Sequence, residues 1–326
     1  MSGPVRPRVI VTRRLPAAVE DQLRQAFDAQ LNTDDHPFSA AELVEALRNA
    51  DGLLPTVTDR VTADVLAAEP LRARIIANFG VGFNNIDIVA AKARGLVVTN
   101  TPDVLTDDTA DDAIMLLLMV ARRAGEGERH VRGGAWTGWR PTHMLGTKVT
   151  GKTLGLVGLG RIARAVAKRA RFGFGMRVLF HDPFPPPARI VADLGVEPCP
   201  DVDALVRESD FVSLHCPATP ETRHLMDARR LALMKPTAFL INTARGDVVD
   251  EAALVAALRA RTLAGAGLDV YEREPTVSPE LLSMDNVVLL PHLGSATGET
   301  RVAMGERALE NLRAFFSGAA PRDRVA

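Results

Sequence analysis

Residues 154–163 read Leu154-Gly155-Leu156-Val157-Gly158-Leu159-Gly160-Arg161-Ile162-Ala163: an apolar strand-like run, a glycine turn and the start of a helical pattern. In that setting the glycines fit a dinucleotide fingerprint. Gly158 permits a tight turn, and Gly160 lets the backbone approach a pyrophosphate at the positive end of the helix. Ala163 stands where a third glycine is common and still allows close helix–strand packing. Cofactor contacts are therefore expected at Gly158, Leu159, Gly160, Arg161 and Ile162. Asp182 follows about twenty residues later, past a strand at 177–180, where an acid accepts hydrogen bonds from the adenosine ribose. An acid there would repel a 2′-phosphate, so NAD(H) is expected over NADP(H). The competing role for Asp182 is a turn aspartate before Pro183.

On both sides of this stretch short apolar runs alternate with helical patterns. Upstream, strands are expected at 9–11, 52–54, 75–77 and 97–99. Helices are expected at 16–27, 40–47 and 87–94, the second opened by a Ser39/Glu42 capping box. A longer helix is expected at 109–123, followed by an irregular segment at 125–148 that carries Trp136 and Trp139. Downstream, strands are expected at 154–157, 177–180, 211–214, 238–241, 267–268 and 287–290. Helices are expected at 161–172, 251–260 and 298–316. Such alternation predicts α/β units with parallel sheets, and two of them in succession predict two domains with a cleft between them. The length of 326 residues suits two cores.

Composition excludes several function classes. Acids and bases number 40 and 39 and are mixed along the chain, so no basic face for nucleic acid stands out. The apolar run 113–121, framed by the charges Asp111, Asp112, Arg122 and Arg123, is well short of the roughly 20 residues a membrane span needs. No apolar leader follows residues 1–8, and a cytoplasmic protein is expected. Cys199 and Cys216 lack metal or disulfide spacing and read as buried thiols. No metal motif is present.

Three further segments each follow an expected strand: Ile241-Asn242-Thr243-Ala244-Arg245-Gly246, Gly267-Leu268-Asp269-Val270-Tyr271-Glu272-Arg273-Glu274-Pro275, and Leu290-Pro291-His292-Leu293-Gly294-Ser295-Ala296-Thr297. All three fall at the carboxyl edge of a sheet, where open α/β folds bind ligands. Among their side chains are Arg245, Asp269, Glu274 and His292, polar and ionisable groups brought to that edge together.

These motifs resemble the D-isomer-specific 2-hydroxyacid dehydrogenase family, most closely its glyoxylate/hydroxypyruvate reductase branch. The likeness runs from about Asn78 to the last helix. It implies a Rossmann-type dinucleotide-binding domain (102–293) inserted into a flavodoxin-like substrate domain (1–101 with 294–326). It also implies a homodimer through the helix and arm at 109–148. It makes Arg245, Glu274 and His292 the catalytic set, and puts Asp269 on the nicotinamide carboxamide. Thr106, Thr243, Ala244, Cys216, Pro217 and Gly294 become further cofactor contacts. The loop Asn78-Phe79-Gly80-Val81-Gly82-Phe83-Asn84-Asn85 matches the family's substrate loop, so the Val81 and Gly82 amides would take the substrate carboxylate beside Leu54. Trp139 would reach the neighbouring subunit's site. The expected substrate is a small 2-oxo or 2-hydroxy acid, glyoxylate or hydroxypyruvate foremost. The alternatives are a D-lactate- or phosphoglycerate-type dehydrogenase, or an NAD-sensing, corepressor-like binding module. Some reductases of this branch use NADPH and carry Ser and Arg where this chain has His181-Asp182. Of the other histidines, His36, His130 and His224 show no partner in the sequence.

Overall fold

Residues 6–326 are described by a computed structural model. Part of the polar N-terminal stretch read from the sequence, residues 1–5, lies outside the described residues. The chain divides into two compact units, one of Met1–Leu105 with Ala296–Ala326, the other of Thr106–Ser295.

The first unit is built on five parallel strands: β1 (Arg8–Val11), β2 (Asp28–Gln30), β3 (Gly52–Leu54), β4 (Ile75–Ala77) and β5 (Val97–Thr99). Their order is β2-β1-β3-β4-β5, a flavodoxin-like arrangement. β3 and β4 are buried along their whole length, which is why they read as short continuous apolar runs. Helices α1 (Ala17–Ala26), α2 (Ala40–Asn49), α3 (Ala63–Leu66) and α4 (Ile88–Ala93) connect them. The capping box forms as expected: Ser39 Oγ accepts from the Glu42 amide, and the Glu42 carboxylate accepts from the Ser39 amide at 2.7 Å.

The second unit holds seven parallel strands: β6 (Thr153–Val157), β7 (Arg177–His181), β8 (Glu197–Pro198), β9 (Phe211–Leu214), β10 (Phe239–Asn242), β11 (Gly265–Leu268) and β12 (Val287–Leu289). The order β12-β11-β10-β9-β6-β7-β8 runs outward in both directions from the β6/β9 pair. This is the doubly wound Rossmann order, with its switch point beside β6. α5 (Thr106–Ala121) and α6 (Ala124–Arg132) precede the sheet. α7 (Arg161–Lys168), α8 (Ala188–Leu194), α9 (Val202–Glu208), α10 (Ala228–Leu233), α11 (Glu251–Arg259) and α12 (Pro279–Leu282) are wound around it. The chain then returns to the first unit as α13 (Gly298–Phe316), which packs on α1 and β4; Gly305 accommodates Val19, whose nearest methyl would lie 2.5 Å from a Cβ there.

Three departures from the sequence reading have local causes. The segment expected to be irregular from 125 begins instead as the helix α6, and only residues 133–148 lack helix and strand. α6 buries no residue, so it presents no apolar stripe; an Arg123–Glu126 ion pair supports its first turn. β2 carries a polar, largely exposed sequence at the sheet edge and gives no apolar signal. Asp112 does not border α5 as a solvated charge but is buried within it, only 6% exposed. Among the described residues no helix is long and apolar enough to cross a membrane.

Gly155 sits in the middle of β6, where a Cβ would overlap Ser209 Oγ and come within 2.5 Å of Leu205 on α9. Gly155→Val is expected to destabilise the protein by about 1–3 kcal/mol through overpacking, measurable as a lower urea midpoint. An unchanged midpoint would contradict this packing.

Candidate active site

The glycine turn after β6 has the conformation the fingerprint requires. Gly158 lies at φ +91°, and a Cβ there would sit 3.0 Å from the His215 carbonyl, whereas Gly160 faces open space. Ala163 is fully buried against the sheet. α7 starts at Gly160 without a side-chain cap. Thr243 Oγ1 is a buried hydroxyl with no hydrogen-bond partner. An uncapped helix start, an open glycine backbone and an orphaned hydroxyl are what a dinucleotide's pyrophosphate and polar ring substituents can use. The residues present fit the cofactor.

Asp182 stands just past β7 and serves the turn directly. One carboxylate oxygen accepts from the Leu159 amide at 2.7 Å, the other from the Phe184 amide at 2.8 Å. A carboxylate offers about four lone-pair sites, so two such bonds leave capacity for ribose hydroxyls. Cys216 lies under the Gly158 turn, and burial pushes its thiol up to about 11. His215 is held by burial at about 4 and shares a hydrogen bond with Ser213 Oγ at 2.9 Å, as a neutral structural residue would.

Three loops at the carboxyl edge of this sheet carry the catalytic candidates. His292 Nδ1 meets Glu274 Oε2 at 2.8 Å, and both side chains are about one-third exposed. The other Glu274 oxygen accepts from the Tyr271 amide at 3.0 Å, which fixes the carboxylate plane. Burial alone would raise the Glu274 pKa. The hydrogen bond and charge of His292, the Tyr271 amide and the Arg245 charge more than offset it, and the group is held below the usual range. Arg245 is half-buried, which disfavours its charge; Glu274 and Asp247 oppose that effect.

Each loop is pinned by groups the sequence reading did not single out. Buried Asn242 accepts from the Ala244 amide at 3.0 Å and donates to the Arg245 carbonyl at 2.8 Å, shaping the turn that presents Arg245. Gly246 lies against the Tyr271 carbonyl, where any Cβ would overlap. Tyr271 Oη donates to the Leu290 carbonyl at 2.8 Å, joining the loops after β11 and β12. Thr109 of α5 donates to the Gly294 carbonyl at 2.8 Å. No periodicity marks Asn242 or Thr109; the small residue after Arg245 was the one available signal.

Asp269 is committed to the backbone of the next loop. It is 1% exposed; its carboxylate accepts from the Leu293 amide at 2.6 Å and the Gly294 amide at 2.9 Å, and its carbonyl accepts from the His292 amide at 2.9 Å. Its side chain holds the His292 turn, and a carboxylate with about four lone-pair sites keeps capacity for a further donor. His292 needs that support, because its φ of +58° is left-handed and costs a non-glycine residue about 1 kcal/mol or more. Thr106 opens α5, Ala244 and Pro217 line partly open loop positions, and Gly294 is committed to Asp269 and Thr109.

In the first unit the Val81–Gly82 turn is held through its carbonyls. Asn78 donates to the Gly82 carbonyl at 2.9 Å, Asn100 to the Val81 carbonyl at 2.8 Å, and Asn85 to Asn78 Oδ1 at 3.2 Å. An anion-binding turn uses its backbone amides, and here the carbonyls are already engaged. Leu54 is fully buried at the end of β3. Trp139 is 81% exposed in the segment after α6. Two histidines read as partnerless are not: His36 meets Asp34 and Glu42 at 2.9 Å each, and His224 meets Glu272 at 3.0 Å.

Comparison with known proteins places this geometry in context. Residues 114–294 match the family model described as D-isomer specific 2-hydroxyacid dehydrogenase, NAD binding domain. The chain is 47% identical to a glyoxylate reductase of Thermococcus onnurineus over 97% of its own length and 95% of that protein. It is also 47% identical to a glyoxylate reductase of Korarchaeum cryptofilum, over 98% and 96%. Among solved structures, an NADPH-dependent glyoxylate/hydroxypyruvate reductase from Sinorhizobium meliloti, in complex with NADP and malonate, is similar with a TM-score of 0.88 at 38% identity, covering 98% of this chain and 97% of that one.

Gly246→Ala should drive the Arg245 loop away from Tyr271. A displacement near 1 Å can cost on the order of 10²-fold in rate. Turnover with glyoxylate should therefore fall by about that factor while the circular dichroism spectrum persists. Near-wild-type turnover would show that the Gly246 contact does not set the arginine's position.

Proposed function

Because the chain belongs to the D-isomer-specific 2-hydroxyacid dehydrogenase family, in its glyoxylate reductase branch, we propose that it reduces glyoxylate and hydroxypyruvate with NADH, using His292 as proton donor. The observation that carries this reading is the 2.8 Å contact between His292 Nδ1 and Glu274, with Arg245 close enough to lower the Glu274 pKa. When bound, the nicotinamide ring supplies the hydride to C2 of the 2-oxo acid. Everything else falls to the chain. With Nδ1 engaged by Glu274, His292 has Nε2 left to donate a proton to the carbonyl oxygen as it gains charge. Arg245 offers its planar fork to the substrate carboxylate and that oxygen. The Val81–Gly82 turn of the first unit is of the kind that holds a carboxylate through backbone amides. In oxidation His292 accepts the proton instead.

The cofactor preference rests on Asp182. Its negative charge at the end of β7 favours ribose hydroxyls and opposes a 2′-phosphate. The Sinorhizobium meliloti relative is named as NADPH-dependent, so the preference assigned here rests on the local residue. We assign a homodimer on the exposed apolar side chains of α5, α6 and the following segment: Met115, Val131, Trp136, Trp139 and Leu145 are 40–81% exposed. Such a cluster suits a subunit interface, and in a dimer Trp139 would border the neighbouring site.

The direct test is NADH absorbance with glyoxylate, hydroxypyruvate and pyruvate. Substrate-dependent oxidation with the first two supports the reading; none with any 2-oxo acid refutes it. kcat/KM should be higher with NADH than NADPH, and Asp182→Ala should narrow the difference; equal use of both by the wild type would contradict the role given to Asp182. Light scattering should show a dimer, and a monomer at micromolar concentration would remove the cross-subunit role of Trp139.

His292→Ala should lose about 10²–10⁴-fold in turnover and keep NADH binding, since the glycine turn is untouched. Glu274→Gln removes a carboxylate whose depressed pKa keeps it charged at neutral pH. The imidazolium loses that support, so the pH above which reduction falls should move lower, with oxidation less affected. An unmoved profile would exclude Glu274 as the partner.

A further inference from the structure

α5 carries a buried carboxyl group that the proposed chemistry does not use. Asp112 is 6% exposed, on a helix that packs against β10 and β11, and neither of its carboxyl oxygens receives a hydrogen bond. Within reach of it stands Asp269, 1% exposed: its Oδ2 and Thr109, one turn before Asp112 on α5, both pack against Gly294, and its oxygens already accept from the Leu293 and Gly294 amides. Two carboxylates meeting in an apolar site cannot both ionise without a large cost. With a proton between them they become donor and acceptor, and the orphaned oxygen of Asp112 finds its partner.

We propose that Asp112 is a neutral carboxylic acid that donates a hydrogen bond to the Asp269 carboxylate, and that through Asp269 it is a positioning residue for the His292 turn and sets the charge behind it. The inference rests on the reading of His292 as the proton donor. The proton sits on Asp112 because Asp269 has two amide donors to stabilise its charge and Asp112 has none. Burial first, and the Asp269 charge second, push Asp112 up to about 7, with His292 pulling the other way. Asp269 is also raised by burial, against the two amides that favour its ionised form.

The other charged groups around α5 leave this pair to itself. β10, β11 and β12 contain no ionisable residue. From α7 and the turn after it come Arg161, Arg164, Lys168 and Arg169; Arg169 is paired with Asp107 and Asp111 on the exposed side of α5. The charges of α6 lie beyond the C-terminal end of α5. Glu274 meets His292 at Nδ1, and the Arg245 charge acts on Glu274.

The consequence is a charge behind His292 that grows with pH. With Asp112 protonated the pair carries one negative charge, and once it ionises, two; burial and the Asp269 charge put that step well above the ordinary carboxylate range. The second charge favours imidazolium in the range where reduction would otherwise lose its proton donor. Asp112→Asn keeps the shape and a hydrogen-bond donor to Asp269 but never acquires that charge. The alkaline limb of 2-oxo acid reduction should therefore move to lower pH by about one unit, the size expected for a charge roughly 10 Å away at an intermediate effective dielectric. A role in packing alone would leave the limb in place.

Infrared spectroscopy of the cofactor-free protein, joined to that pH profile, tests the pair. Wild type at pH 6 should show a protonated-carboxyl C=O band that fades as pH rises through 7 and is missing in Asp112→Asn. Absence of the band in the wild type, a measurement needing no variant, would overturn the neutral-acid assignment, as would its persistence in Asp112→Asn. A band present with an unmoved alkaline limb would refute the link to His292. If His292→Ala kept its turnover while the band titrated as described, the proton donor would be reassigned and the carboxyl pair would stand.

Discussion

The active loops depend on one buried carboxylate. Asp269 takes two amides of the segment that follows His292 and, through its own carbonyl, the amide of His292 itself. These three bonds hold a non-glycine residue in left-handed backbone at φ +58°. Charge-assisted bonds of this kind are each worth about 1.5–3 kcal/mol, enough to exceed the local backbone cost. With the turn fixed, the imidazole is delivered to Glu274, whose carboxylate plane is set by the Tyr271 amide. The Tyr271 hydroxyl then ties the same loop to Leu290. The proposed proton transfer tolerates little misplacement, and here the rigidity comes from backbone donors in the loops after β11 and β12.

That arrangement follows from the sheet. β10, β11 and β12 are neighbours in parallel register, so the loops after them emerge side by side. Gly246 and Gly294 make the close approach possible, one against Tyr271 and the other between Thr109 and Asp269. β6 lies two strands from β10 and presents the glycine turn at the same edge. One topological choice, strands wound outward from the β6/β9 pair, therefore puts dinucleotide turn and acid–base loops on a common edge.

Much of this was legible in the sequence. Short apolar strands announced themselves because both their faces are buried, and the turn because Gly158 sits in left-handed backbone that favours glycine. Arg245, Glu274 and His292 were legible as residue types at strand ends, and the structure brings Glu274 and His292 into contact. What stayed hidden has physical reasons. α6 is an exposed helix without an apolar stripe, and β2 is a polar edge strand, so neither produced a periodic signal. Asp112 reads as the charged border of an apolar helix, because sequence alone does not reveal that its neighbour across the packing is another carboxyl. Asp269 was legible as functional, yet its inward direction, set by amides 24 and 25 residues downstream, depends on the fold.

At the centre of the proposed chemistry, Glu274 holds the Nδ1–H of His292 and so leaves Nε2 to exchange the proton with substrate. Proton–nitrogen correlation NMR of the cofactor-free protein, with His292 assigned by its loss in His292→Ala, reads this directly. The expected result is a protonated Nδ1 with a strongly downfield proton that moves upfield or broadens away in Glu274→Ala. A neutral His292 protonated at Nε2 with Nδ1 bare, or an Nδ1 proton indifferent to Glu274, would contradict it.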